Sequence, residues 1–154
     1  MYLLVAGETR VSVPLVVAHE SPLLETLDPE EPVPLPAFIE SRLVDVPYIL
    51  SCVSTSTPDA TQFPSMEGLA GPEALREALH LLKICEFLDI PKAVRALHVY
   101  IQTQLAACAT VDAVLRLVCP RFEHEPVEAQ CRIYALLMRK FSTLRRGVPG
   151  APTA

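Results

Sequence analysis

The stretch GPEALREALHLLKICEFLDIPKAVRALHVYIQTQLAA, residues 71–107, decides how the rest of the chain can fold. Pro72 and Pro91 each stand where a helix begins, because a first turn does not need the amide that proline lacks. Beyond each proline, apolar residues recur at helical spacing. We therefore predict two helices, Glu73 to Leu88 and Lys92 to Ala107, joined by a tight corner.

The first of these helices is apolar around most of its circumference, with a narrow polar stripe at Arg76, His80 and Lys83. Such a helix is expected to be packed on nearly every side. Continuing the stripe at about 100° per residue brings Phe87, rather than a charged residue, onto the solvent face. An aromatic there indicates either a partner contact or a side chain that tucks under the segment 54–71.

Length and composition narrow the class of protein. The chain of 154 residues has the length of one domain. A net charge of −5, and 6% aromatic residues with no Trp, argue against nucleic-acid binding. Polar residues interrupt every apolar run well before the roughly 18 residues that a membrane-spanning helix needs, and Met1 to Gly7 does not resemble a signal peptide. We expect an intracellular protein that binds no membrane.

The five cysteines are odd in number and are never spaced as C-x-x-C, so no disulfide framework or zinc ribbon is indicated. Each stands in an apolar helical pattern, where a buried thiol behaves as a small hydrophobic side chain. A catalytic thiol with a histidine is the less favoured alternative. The sequence has no phosphate-cradling Gly-rich loop, no paired carboxylates at metal spacing and no nucleophile elbow. We therefore expect no enzyme activity, cofactor or metal.

The N-terminal residues predict a small sheet. Strands at Tyr2 to Ala6 and Thr9 to Val13 are joined by the turn Gly7-Glu8, a hairpin of type II′ character. Ser21-Pro22 supplies an N-cap and a first-turn proline for a short helix. The run Val33 to Pro36 suits an edge strand, because proline has no amide to donate to a neighbouring strand.

Two segments precede the central helix pair. Ala37 to Val53 carries apolar residues at helical spacing, but Pro47 removes an amide in its middle, so the helix should kink or restart there. Ser54 to Gly71 has no periodicity and collects Ser, Thr, Pro and Gly. We expect it to be a mobile loop on the surface.

Two further helices are predicted after the pair. Thr110 caps a short one, Val111 to Cys119, and Glu125-Pro126 opens a long amphipathic one. Its apolar stripe consists of Ile133, Tyr134, Leu137, Phe141 and Leu144. The stripe needs an apolar neighbour, either its own domain or a partner. Without that partner the chain should self-associate, for example as a homodimer.

This order of elements predicts an α+β fold in which helices cover one side of a small sheet. The core should span residues 1–108 and include the mobile loop 54–71. A helical extension should span residues 109–146, and residues 147–154 should form a flexible tail.

Four short runs of sequence carry a resemblance to a known family, both in their residues and in their spacing: Val17 to Ser21, Pro32 to Pro36, Cys85 to Ile90 and Glu128 to Arg132. In sequence and order they resemble successive landmarks of the Skp-type (S-phase kinase-associated) adaptor family, of which Elongin C is a shorter relative. The resemblance covers nearly the whole chain and implies the BTB/POZ fold. The polar loop of the family also has a counterpart, in residues 54–71.

The resemblance implies a non-catalytic adaptor. Skp-type proteins bridge a cullin scaffold to an F-box protein in SCF ubiquitin ligases, in the cytoplasm and nucleus, without a cofactor. The family's cullin-facing Asn-Tyr pair falls on Glu86 and Phe87. The residues that correspond to the F-box-binding region are Leu105, Val114, Leu117, Val118, Ile133, Tyr134, Leu137 and Phe141.

Three departures mark a diverged member of that family. The family's Trp near the end of the last helix falls at about Leu137, its Asn becomes Glu86, and Pro47 interrupts a helix that is normally continuous. The alternative function is therefore a Skp-like structural subunit of another assembly, such as a kinetochore-type complex, without a cullin.

Overall fold

The computed structural model describes residues 1–108, 110–118, 124–132, 134–135 and 138–139. The strands are β1 (Tyr2–Ala6), β2 (Thr9–Val13) and β3 (Val33–Pro34), and the α-helices are α1 (Leu15–Ala18), α2 (Pro22–Glu25), α3 (Val46–Thr55), α4 (Gly71–Phe87), α5 (Pro91–Ala106) and α6 (Val111–Val118). Three 3-10 helices cover Ala37–Asp45, Ala60–Gln62 and Pro64–Met66. Residues 127–132, 134–135 and 138–139 are also helical. The predicted α+β class is confirmed.

The described strands form one sheet in the order β2-β1-β3. β1 pairs antiparallel with β2, and Leu4 and Val5 of β1 pair in parallel with β3. Gly7 has a φ of +57°, the sign that a type II′ turn requires at its first central position. Pro34 lies on an edge strand, where a missing amide leaves no neighbour unpaired. The predicted hairpin and edge strand are both confirmed.

Ser21 ties the start of α2 to the end of α4. Its hydroxyl oxygen accepts a hydrogen bond from the Leu24 N–H at 3.2 Å, as predicted for an N-cap. The same hydroxyl donates to the carbonyl oxygen of Leu88 at 2.5 Å. The side chain is fully buried, so water cannot replace either bond.

Replacing Ser21 with alanine should therefore lower the free energy of unfolding by about 2–3 kcal/mol, because it leaves a buried donor and a buried acceptor without partners. Urea denaturation followed by circular dichroism measures the loss. Thr26→Ala is the matched control, since the Thr26 hydroxyl donates to the Leu23 carbonyl at an exposed position. The control should change stability by only about 0.5 kcal/mol. Equal losses of unfolding free energy in the two variants would show that the buried hydrogen bonds of Ser21 contribute no more than an exposed one.

The segment around Pro47 restarts, as predicted. Residues Ala37–Asp45 form a 3-10 helix, and α3 begins at Val46, so Pro47 lies in its first turn. At that position the missing amide breaks no helical hydrogen bond. The first half is a 3-10 helix instead of the α-helix that the spacing indicated.

The prediction that residues 54–71 have no regular structure is wrong. α3 continues to Thr55, and two 3-10 helices follow. Ala60, Phe63 and Met66 are buried, and Phe63 is 0% exposed. These three residues recur every third position, which is the period of a 3-10 helix. A search for the α-helical period does not detect that pattern.

The helix α4 is also less enclosed than predicted. Leu79 is 38% exposed, and Arg76 and Lys83 are exposed as well. The buried residues of α4 are Ala74, Leu75, Ala78, Leu81, Ile84 and Cys85. They form one face, which packs against α5 and α6. The helix is therefore amphipathic, not packed on nearly every side.

The predicted corner between α4 and α5 is confirmed. Asp89 adopts a left-handed φ of +53°. The Ile90 N–H donates to the Cys85 carbonyl at 3.0 Å, a bond that spans five residues as in a Schellman motif. Ile90 and Leu88 are buried on either side of Asp89. The corner thus turns the chain sharply and still fills the core.

Cysteine burial varies more than predicted. Cys85 is buried, and burial raises the pKa of its thiol to about 12, so the thiol stays protonated and inert. Cys52 and Cys108 are half-buried, but Cys131 is exposed, which contradicts a buried role for it. Cys119 lies outside the described residues. In the part of the chain that is described, no helix has both the length and the apolar character needed to cross a bilayer.

Candidate interaction surface

Phe87 lies in the last turn of α4 and is 44% exposed, so the predicted exposure of this aromatic is confirmed. Its ring meets that of Phe38 edge to face, with the centroids 5.8 Å apart and an interplanar angle of 89°. The Nζ atom of Lys83 lies 4.6 Å from the centroid of the Phe38 ring. We call Phe38, Lys83 and Phe87 the aromatic surface.

The ring contact of Phe87 is made with Phe38, and not with residues 54–71 as the alternative interpretation required. Its ring partner comes from the 3-10 helix Ala37–Asp45. An edge-to-face pair contributes about 0.5–1.5 kcal/mol beyond area burial, which restrains both rings. The contact therefore favours one orientation of Phe87 while 44% of the side chain still faces solvent. A restrained aromatic of this kind can bind a partner with a small loss of side-chain entropy.

An ion pair joins the two elements that carry the rings. The guanidinium of Arg42, on the 3-10 helix, donates to both carboxylate oxygens of Glu77 on α4, and its Nη2 atom lies 2.8 Å from Oε2. The hydrogen bond to Arg42 holds the pKa of Glu77 below its usual range, so the carboxylate is ionised near neutral pH. This two-pronged contact joins the 3-10 helix to α4, the same two elements whose rings meet at Phe38 and Phe87.

Glu86 precedes Phe87 but faces a different neighbour. Its Oε1 atom lies 3.8 Å from Nε2 of His98 on α5, and both side chains are about half exposed. A groove of about 500 Å³ lies between the ends of the two helices. Its lining residues are Glu86, Asp89, Pro91, Val94, Arg95 and His98. Glu86 therefore contributes a carboxylate to a surface of mixed charge beside the aromatic surface.

Apart from Tyr134, the residues expected to bind an F-box-type partner fall into three groups. Leu105 and Val114 are buried in the main core, so a partner cannot reach their side chains in this conformation. Leu117 and Val118 belong to α6. Ile133, Leu137 and Phe141 lie outside the described residues.

Tyr134 is the described member of the predicted apolar stripe, and it is 36% exposed. It lines a shallow groove of about 380 Å³ together with Cys131 and Met138. The side chain of Met138 is exposed as well. An aromatic ring and a flexible thioether at one groove form a surface suited to an incoming apolar helix.

Sequence reasoning did not find the contribution of Phe38, Lys83, Arg42 and Glu77. The only signal was that Phe38 and Phe87 are both aromatic, and nothing in the sequence pairs them. Among the described residues, no three His, Cys, Asp or Glu side chains come together as a group that could hold a metal ion.

Comparison of the sequence with protein-family models gives no match, and comparisons with curated proteins and with solved structures give none either. The class that the fold defines is α+β, with a three-stranded sheet in the described residues and two long central helices.

Proposed function

We propose that the protein is a non-catalytic adaptor with a BTB/POZ (Skp-like) core and a C-terminal helical extension. It bridges an F-box-type protein to a cullin scaffold in a ubiquitin ligase, in the cytoplasm and nucleus. The order of elements supports the fold: a hairpin, two short helices, a parallel edge strand and a pair of long helices. The aromatic surface is the observation that carries the function.

The cullin-type contact is assigned to Phe87, with Glu86 at its side. Three features support it: Phe87 is exposed, it is restrained by Phe38, and it lies in the run that resembles the family's cullin-facing motif. Interface hot spots are commonly aromatic residues that are rigid before binding. Lys83, beside the rings, adds a cation that can meet an acidic group on the partner.

The F-box-type contact is assigned to the C-terminal helices. Tyr134 and Met138 offer exposed apolar groups, and α6 joins this region to the core by packing on α4. Leu105 of α5 and Val114 of α6 both belong to the main core, so they anchor this region instead of contacting the partner directly. By their spacing in the sequence, Ile133, Leu137 and Phe141 are predicted to extend this stripe, which guest helices would cover.

Ending the chain after Glu125 should abolish binding of the F-box-type partner and leave a folded core. Every described residue of the main core precedes Glu125, and we expect that part of the chain to fold without the removed segment. Pull-down with the partner and circular dichroism measure the two effects. Retained binding would move the recognition surface elsewhere, and outright unfolding would make the last helix structural.

A Skp-like subunit of an assembly without a cullin is the second candidate. The observation that favours it is Glu86, whose carboxylate replaces the family's neutral Asn and lies near His98. A charge at the proposed contact would disfavour a partner that presents an acidic or apolar group there. Recovery of an F-box-type protein without any cullin would support this candidate.

A further inference from the structure

A groove of about 730 Å³ separates the chain after α3 from the helix α5. One wall is the hydroxyl-rich segment from Ser54 to Thr61, and the other runs along α5 from Lys92 to Thr103. The charged side chains that line it are Lys92, Arg95 and Asp59, which sum to +1 because two are cations and one is an anion. The groove is thus open, with hydroxyl groups along one wall and two cations near the start of a mainly apolar α5 wall.

Thr57-Pro58 lies on the hydroxyl-rich wall. Thr57 is exposed and sits outside any helix, between the end of α3 and the 3-10 helix at Ala60. The sequence contains one other Ser/Thr-Pro dipeptide, Ser21-Pro22, whose serine is fully buried. A protein kinase needs an exposed hydroxyl on an extended chain, so only Thr57 presents this dipeptide in a form that a kinase can bind.

We propose that Thr57 is a phosphorylation site for a proline-directed protein kinase, and that Arg95 and Lys92 bind the resulting phosphate across the groove. In the transfer, the Thr57 hydroxyl oxygen bonds to the γ-phosphorus of ATP as the bond from that phosphorus to the bridging oxygen of ADP breaks. The hydroxyl proton passes to the base of the kinase, and ADP leaves. The proposal does not depend on the adaptor function.

The charges of the groove favour capture of the phosphate. Arg95 is exposed and forms no ion pair with any other described residue, so it can turn toward an anion without breaking a contact. The Nζ atom of Lys92 lies 3.1 Å from Oε1 of Glu20, which offsets part of its charge, so Arg95 is the main ligand of the phosphate and Lys92 the weaker one. Both stand in the first turns of α5, where the helix dipole also favours an anion.

Phosphothreonine carries about −1.5 to −2 charges and three acceptor oxygens, which a guanidinium can bind through two parallel hydrogen bonds. Asp59 opposes this charge, but its carboxylate already accepts bonds from the Thr61 N–H and hydroxyl, both at 2.9 Å. The bound phosphate would link the segment after α3 to α5. Phosphorylation should therefore stabilise the fold.

The first test treats the full-length protein with a purified proline-directed kinase and Mg-ATP, and maps the phosphate by mass spectrometry. We expect phosphate on Thr57 and none on Ser21. Thr57→Val should remove at least nine tenths of the incorporated phosphate. Absence of incorporation, or incorporation that persists in Thr57→Val, would overturn the proposal.

The second test compares melting temperatures in low salt, where surface ion pairs are least screened. Phosphorylated wild-type protein should melt about 2–4 °C above the unmodified protein, a shift of the size expected for one good ion pair in a chain of this length. Phosphorylated Arg95→Gln should show less than half of that shift, and its unmodified form should melt with the wild type. If phosphorylation did not raise the melting temperature of the wild-type protein, or raised it equally in both proteins, the proposal that Arg95 binds the phosphate would be overturned.

Discussion

Replacing Phe63 with alanine should lower the free energy of unfolding by about 3–5 kcal/mol. Phe63 is among the largest fully buried side chains of the described protein, and it belongs to the main core together with Ala60 and Met66. Removing the ring leaves a cavity that the surrounding helices can fill only in part. Because whole domains have a stability of about 5–15 kcal/mol, this single change should remove a large share of the total.

Urea denaturation followed by circular dichroism measures the effect. Tyr48→Ala is the matched control, since Tyr48 is an aromatic residue on α3 that is 65% exposed. The control should lose only about 0.5 kcal/mol. If Phe63→Ala were as stable as Tyr48→Ala, residues 60–66 would not be part of the core, and the sequence-based prediction of an irregular loop would be the better description.

Replacing Phe87 with alanine should weaken binding to a cullin by about 2 kcal/mol or more, which is roughly 30-fold in Kd. The fold should change little, because nearly half of the side chain is exposed and its ring partner, Phe38, remains partly packed in the core. Calorimetric titration of purified cullin into the wild-type and variant proteins measures the affinity, and thermal melts measure stability.

Two variants sharpen this test. Phe38→Ala should also weaken binding, because Phe87 then loses the ring that orients it, and the double variant should lose less than the sum of the two single losses. Tyr48→Ala should bind as the wild type does. A drop of many degrees in the melting temperature of Phe87→Ala with unchanged affinity would show that the ring is structural.

The sequence predicted best those elements whose ends are set by local chemistry. Pro72 and Pro91 mark helix starts because their missing amides are harmless there, and Ser21 caps α2 through its own side chain. The edge strand at Val33–Pro34 follows from the same property of proline. Each of these signals involves only neighbours along the chain, so a reading of the sequence can find it.

Features that depend on tertiary contacts were missed or misjudged. Residues 60–66 repeat every third position, a period that is short and seldom sustained, and their burial depends on the helices they pack against. Leu79 is apolar but exposed, which composition alone cannot reveal. The pairing of Phe38 with Phe87, and of Arg42 with Glu77, joins residues far apart in the sequence. The exposure of Phe87 was predictable, whereas the contacts that restrain it were not.

The bridging function is tested most directly by affinity purification of the tagged full-length protein from the cells that express it, followed by mass spectrometry. The wild-type protein should recover an F-box-type protein and a cullin together. Phe87→Ala should keep the F-box-type protein and lose most of the cullin, because only the aromatic surface is altered. Recovery of neither partner by the wild-type protein would contradict the proposed adaptor function.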